Sequence, residues 1–378
     1  MKKEGVPAFA GTTIPGLAGI AAVAVYSYFF LHAESQAAVL GLVAAAVIGV
    51  PVLGRLGWLS RVGASLAQHR AAGRIGIAVA LLIVIALFRS EHFAMLMLAS
   101  VLFYTIACLG LTVQFGYAGV VNFAGAAFFG VGGYTSAVLG AQLPHIAVLV
   151  IGGLLAALLG SVLILPILRT RGHYAALITV AFGILFRTFI EVNDALGGPQ
   201  GLQVKGMNLF GWDLNTPIGE WSFYANYVLV ALALAALAFV LVRRLERSWV
   251  GLNLDAVRLD ETACAVFGID VARWKILAFT IGNFLAGVAG AAYSMMTGFV
   301  APNSFTFADS LIMVSIILLG GVGSLWGVAL AAAIVLVLPE KLQALQEYRF
   351  LLYAVLVIII LLARPQGLIP RRARDYFA

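Results

Sequence analysis

Residues 243–275 hold eleven of the chain's charged side chains, out of 23 basic and 16 acidic ones in all. Within this stretch Leu252, Ala256, Leu259, Ala263 and Val266 recur at i, i+3, i+4 spacing. Residues 252–268 therefore read as one short amphipathic helix, with Asp255, Arg258 and Glu261 on its other faces. Gly268 suits the left-handed position that closes such a helix. The chemistry open to it is ion pairing and docking rather than bond making. It is either an ordinary cytoplasmic loop helix or one that seats in a groove of a soluble motor protein. Other chemistries lack their residues. A GxxxxGK[ST] phosphate loop needs Lys followed by Ser or Thr, and the five lysines are followed by Lys, Glu, Gly, Ile and Leu. His32, His69, His92, His145 and His173 are scattered, and none forms HExxH. Cys108 and Cys264 lie far apart in apolar or helical stretches and read as small packing residues. The expectation is a chain that is not an enzyme, with no metal and no cofactor, and with a partner supplying any energy.

The elements that must position these residues are membrane spans. The chain has 378 residues, 63% hydrophobic and only 10% charged, against about 25% charged in a soluble domain. Mean hydropathy is +1.05. So few charges cannot cover a water-soluble surface, which leaves an all-α, polytopic transmembrane bundle. Apolar runs lie at 14–31, 37–53, 75–88, 93–113, 118–140, 145–168, 173–190, 225–242, 276–297, 306–319, 325–338 and 349–363. Since a span takes about 20 apolar residues, ten to twelve crossings are expected, some broken by glycine. The runs 306–319 and 325–338 are short and meet at Gly320-Gly321-Val322-Gly323-Ser324, a turn or helix break. No cleavable signal peptide is expected, because the first apolar run is long and no small-residue cleavage site precedes a polar domain.

The net charge of +7 would suggest nucleic acid in a soluble chain. Here the bases form short clusters that read as orientation signals: Arg55, Arg61, Arg70 and Arg74; Arg169 and Arg171; Arg243, Arg244 and Arg247; Arg364, Arg371, Arg372 and Arg374. All fall inside if both termini are cytoplasmic. The loop 191–224, with Glu191, Asp194, Asp213 and Glu220 against Lys205, is then outside. The reading divides the chain into a membrane extension of about three spans at 1–90, a core at 91–370 containing the loop 243–275, and a basic cytoplasmic tail at 371–378.

Small and polar residues mark where helices approach. Residues 116–140 hold seven glycines, which permit close packing or broken backbone against protein or a wet cavity. Ala278, Gly282, Ala286, Gly290 and Ser294 recur every four residues and read as a packing stripe, within the chain or against a partner. Asn122 and Asn283 are uncharged polar groups in apolar runs, bonded between helices or lining a route. No Asp or Glu lies well inside a span, and Asp309 sits at an edge. An ion-coupled carrier, which needs intramembrane ionisable groups, is therefore the lesser alternative. Arg187 lies within a span near its outer end, where it can snorkel or attract a carboxylate.

Asp260-Glu261-Thr262-Ala263-Cys264 followed by Gly268-Ile269 resembles the coupling-loop motif of the membrane subunits of ATP-binding-cassette importers, specifically the branched-chain amino acid (LivM-like) permease family. Cys264 stands where that family usually has alanine. Five further stretches resemble it in the right order. They are Gly116-Tyr117-Ala118-Gly119 through Gly133-Tyr134-Thr135; Arg171-Gly172-His173-Tyr174 with Thr179, Phe182 and Gly183; Gly197 to Leu202; Gly320 to Gly327; and Arg364-Pro365-Gln366-Gly367-Leu368. The resemblance covers about 93–370. One departure is Gly125, where the family often has histidine.

The resemblance implies half of a translocation pathway for branched-chain or related amino acids in the bacterial inner membrane, although the same family also takes urea, short amides and aromatic acids. It implies as partners two ATPase subunits, a second related permease and a periplasmic solute-binding protein, in the lipid bilayer and without nucleic acid. Arg258, Asp260, Glu261, Ala263 and Gly268 are then expected to couple to the ATPase, and Gly119, Asn122, Thr179 and Gly183 to line the path.

Overall fold

The computed structural model describes residues 13–33, 35–170, 173–217, 219–342 and 366–371, with isolated residues between 348 and 362. Arg171, Gly172, Arg364, Pro365, Arg372, Arg374 and most of the run 349–363 lie outside the described residues. The chain divides into two compact units.

The first unit holds α1 (Ile14–His32), α2 (Gln36–Arg55), α3 (Trp58–Gln68), α4 (Arg70–Leu87), the first residues of α5 (His92–Thr112), and residues 339–346. Ser35 caps α2, its hydroxyl accepting from the Ala38 N–H at 3.3 Å. Gly57 takes φ 71° to turn the chain into α3, so the stretch between the apolar runs 37–53 and 75–88 contains a helix. α3 packs on α1, where a Cβ at Gly19 would lie 2.7 Å from Val62. The Lys341 ammonium donates to the carbonyls of Leu31 and Ala33, placing a cation on the negative end of α1.

The second unit continues from α5 through a π-helical turn (Val113–Tyr117) to α6 (Gly125–Leu139), α7 (His145–Leu168) and α8 (His173–Val192). Three two-residue strands follow, β1 (Leu202–Gln203), β2 (Asn208–Leu209) and β3 (Trp212–Asp213). Then come α9 (Phe223–Arg247), α10 (Trp249–Leu259), α11 (Glu261–Val266), α12 (Val271–Thr297), β4 (Phe299–Val300), α13 (Phe307–Gly320) and α14 (Leu325–Lys341). The fold is all-α and polytopic. Among the described residues seven helices are long and apolar enough to cross a membrane, and three shorter apolar helices accompany them.

Glycine decides the packing of this unit. A Cβ at Gly132 on α6 would lie 1.8 Å from the Gly287 carbonyl oxygen on α12, and one at Gly290 on α12 would lie 1.8 Å from the Phe129 carbonyl oxygen on α6. A Cβ at Gly287 would also meet the Gly152 carbonyl oxygen of α7, at 2.5 Å. The stripe Ala278, Gly282, Ala286, Gly290 and Ser294 is buried along its length, so it packs within the chain, backbone against backbone.

The run 118–140 is not one helix. Residues 118–124 are irregular, and helix begins only at Gly125. α6 has 15 residues, about 22 Å at 1.5 Å per residue, short of the roughly 30 Å hydrocarbon core. The irregular segment supplies the rest. Its polar backbone is met by side chains of other helices, as membrane depth demands. The Phe123 N–H donates to Thr179 Oγ1 at 3.0 Å, and in the first turn of α6 the Ala126 N–H donates to Ser310 Oγ at 3.1 Å.

At the break between α13 and α14, Gly321 and Gly323 take φ 105° and 87°. Antiparallel pairing of β1 with β4 gathers residues 202–203 and 299–300 at the opposite end of α12 from α10. The 27 residues of α12, about 40 Å at 1.5 Å per residue, separate the two ends.

Candidate functional site

Two clusters carry polar chemistry at and below the end of the unit that bears α10 and α11. The first is the coupling segment. The single helix expected over 252–268 is two, broken at Asp260. This residue takes φ −156° and ψ 103°, and its carboxylate accepts from the N–H groups of Thr262 and Ala263, each at 2.9 Å. An acidic side chain able to satisfy two orphan N–H groups starts a new helix rather than extending the old one. α11 closes as a Schellman turn. Gly268 at φ 77° donates to the Ala265 carbonyl, and the Ile269 N–H donates to the Cys264 carbonyl at 2.9 Å. Glu261 pairs with Lys275 at 2.6 Å, Glu261 being more than half exposed.

The faces differ from the helical-wheel reading. Asn253, Leu254, Asp255 and Val257 form the buried side of α10. Of the apolar positions, Leu259 and Val266 point out, 76% and 80% exposed, as does the neighbouring Phe267 at 84%. Asp255 is buried because its partner comes from far along the chain. Arg371 Nη1 and Nη2 donate to its two carboxylate oxygens at 2.7 and 2.9 Å. Arg371 also reaches Glu246 on α9 at 3.3 Å, and its guanidinium carbon lies 4.4 Å from the centre of the Tyr117 ring. Burial pulls the Arg371 pKa down. The Asp255 hydrogen bonds and charge, with Tyr117 and Glu246, more than offset that, so it stands above the ordinary arginine value. Arg258, on the exposed side, lays its stem against Gly119, where a Cβ would lie 3.0 Å from Arg258 Cγ and φ is 69°.

The second cluster lies inside the unit. Asn122 Nδ2 donates to Gln114 Oε1 at 2.8 Å and to Asn283 Oδ1 at 3.2 Å. Gln114 Nε2 donates to Asn283 Oδ1 at 2.9 Å and to the Phe279 carbonyl at 3.2 Å. Asn122 Oδ1 accepts from the Ala124 N–H at 2.9 Å. All three amides are fully buried, which favours the bonded reading of the two asparagines within this chain. Thr179, also fully buried, bonds the neighbouring Phe123 N–H. Gly183 lies one helical turn further along α8, with no atom within 4 Å of the position a Cβ would take. The structure therefore joins Asn122 to Thr179 through Phe123, sets Gly183 beside open space, and places Gly119 apart against α10. Gln114 escaped the sequence reading. The available signal was an amide next to Gly116 at the end of an apolar run.

The two other groups marked for ion chemistry are engaged. Asp309 and Thr306 form a reciprocal cap at the start of α13. Arg187 pairs with Glu191 at 2.8 Å and donates to Asn303 at 3.0 Å. Among the described residues no three His, Cys, Asp or Glu side chains gather in a way that could hold a metal ion.

Residues 93–362 match the family model described as a branched-chain amino acid transport system permease component. The chain is 37% identical over 287 residues to the high-affinity branched-chain amino acid transport permease LivM of Escherichia coli K12, covering 71% of this chain and 68% of that protein. It is 27% identical to a probable LivM of Methanocaldococcus jannaschii, covering 71% and 91%. It is 24% identical to LivH of Salmonella typhimurium, with the same coverage. No solved structure matches.

Proposed function

Because this chain belongs to the branched-chain amino acid transport system permease family, we propose that it works as one half of the translocation pathway of an ATP-driven amino acid importer. It is a multi-pass inner-membrane subunit, and a second related permease of the LivH kind supplies the other half. Two ATPase subunits dock on α10 and α11 through the apolar edge of Leu259, Val266 and Phe267. Arg258, Asp260, Glu261, Ala263 and Gly268 shape that edge: Asp260 and Gly268 fix the two ends of α11, Ala263 keeps its middle narrow, and Glu261 and Arg258 flank it with opposite charge. A periplasmic binding protein delivers the solute at the far end, over the loop 191–224.

The observation that carries this reading is the outward-facing apolar edge at the end of α10 and on α11, in a segment fastened by buried charge one turn earlier. A loop helix serving only its own chain buries its apolar side. This one exposes large apolar residues and buries Asp255. The path runs beside Thr179 and Gly183, with Asn122 behind them and Gly119 joining it to Arg258. Confining uncharged groups to that path leaves a zwitterion no counter-charge to replace its lost hydration, so recognition rests with the soluble binding protein. An ion-coupled carrier is disfavoured by the engagement of Asp309 in a helix cap.

Purification of the tagged chain from its native membrane tests the reading. Two ATPases and a second permease should accompany it, and the reconstituted assembly should take up leucine, isoleucine or valine only with ATP and binding protein. E261K should leave the subunit folded while hydrolysis proceeds without uptake. Uptake by this chain alone, driven by an ion gradient, would overturn the assignment.

A further inference from the structure

We propose that Arg371 is a positioning residue of the transport cycle, fastening α10 to the membrane helices so that a load on the coupling segment is transmitted rather than absorbed. The proposal rests on the importer reading above. Three observations carry it. First, the strap 366–371 is anchored at the α13–α14 break. The Leu368 and Ile369 N–H groups donate to the Leu319 and Gly320 carbonyls at 2.8 and 3.1 Å. Gly367 lies so close to Gly321 that a Cβ would fall 2.4 Å from Gly321 Cα.

Second, Arg371 at the end of that strap forks onto Asp255 of α10, touches Glu246 at the end of α9, and lies over Tyr117 in the π-turn of α5. Its side chain is 12% exposed and that of Asp255 8%. A basic residue serving only to hold a tail on one side of the bilayer would stay solvated. A bidentate, buried pair is directional and resists sliding. Third, Leu259, the exposed last residue of α10, lies one helical turn beyond Asp255, so the two share one face of the helix. A push entering at the exposed edge leaves through Asp255 and Arg371 into three elements together: the α13–α14 turn, the π-turn and α9. The π-turn itself abuts that turn, since a Cβ at Gly116 would lie 2.5 Å from Gly323 Cα.

The test uses the whole assembly in proteoliposomes with binding protein, measuring substrate taken up per ATP hydrolysed. Wild type is compared with R371K, R371A and R371M/D255L, the last removing both charges so that no buried ion is left alone. Co-purification of the ATPases reports folding. We expect R371A and R371M/D255L to assemble and hydrolyse ATP while uptake per ATP falls tenfold or more. R371K, which keeps the charge but not the fork, should fall between. A role in folding alone would lower assembly, hydrolysis and uptake together and leave the ratio unchanged. That result, or a wild-type ratio in R371M/D255L, overturns the proposal. Wild-type uptake that needs no ATP overturns the importer reading first, and the positioning role with it.

Discussion

Replacing Gly290 by alanine adds one methyl group where α12 meets α6, and the structure sets the cost. The new Cβ would stand 1.8 Å from the Phe129 carbonyl oxygen, with Phe129 C and Cα at 2.6 and 2.9 Å. All three are backbone atoms, so no side chain can rotate away. Ordinary contact begins near 3.4 Å, so the helices must part by about 1.6 Å. Gly132, Gly287 and Gly152 approach backbone in the same layer and would lose contact with it, since a gap of about 1 Å already forfeits up to half of a dispersion well. Overpacking costs about 1–3 kcal/mol, and the rigid neighbours put G290A at the upper end. Alanine's helix preference over glycine returns up to ~1 kcal/mol. A net loss of about 2 kcal/mol corresponds to a Tm drop of roughly 4–8 °C for a unit of this size. G183A is the control: α8 leaves open space there, so the same methyl group should be neutral or slightly stabilising. Thermal unfolding of the purified assembly, followed by tryptophan fluorescence, reads both. A G290A midpoint within about 1 °C of wild type, or an equal loss in G183A, would refute the claim that backbone contact holds α6 to α12.

N122A leaves Gln114 Oε1 and the Ala124 N–H without the Asn122 amide, and should cost about 2–3 kcal/mol by the penalty for buried unsatisfied groups, read in the same thermal assay. T262C, at the exposed start of α11, should react with an impermeant maleimide in inside-out vesicles and not in intact cells; labelling only from outside would reverse the assumed topology.

Local pattern carried much of this architecture. Among the described residues the apolar runs other than 118–140 became helices within a few residues of their ends, the every-fourth-residue stripe was packing, and Gly320–Ser324 did break a helix. These features depend on neighbours in sequence, where composition and period suffice. What escaped was set by distant partners. Asp255 was set off the apolar face by the helical period, and it is buried because its partner is Arg371. Asp260 was read as an interior helical residue, although an acidic residue followed by Glu261-Thr262 is also a start signal. The π-turn at 113–117 and the irregular 118–124 have no periodic signature. They exist because Gln114 and Asn122 bond across to Asn283 on α12, a pairing invisible to any window of a few turns. The candidate path was legible as a set of small and polar residues, and not as an arrangement, for the same reason.

The strap also gives the subunit a clock. Arg371 lies 116 residues downstream of Asp255. At about 5–20 residues per second of synthesis, α10 therefore waits on the order of ten seconds before its underside can be fastened. Until then it is held by its contacts with α9, α12 and the π-turn, without the buried charge pair. The residue that completes the anchoring of α13 also makes the docking face firm, so a nascent subunit reaches mechanical readiness at the moment its last membrane break is closed. Premature engagement by a partner would meet a helix that still gives way.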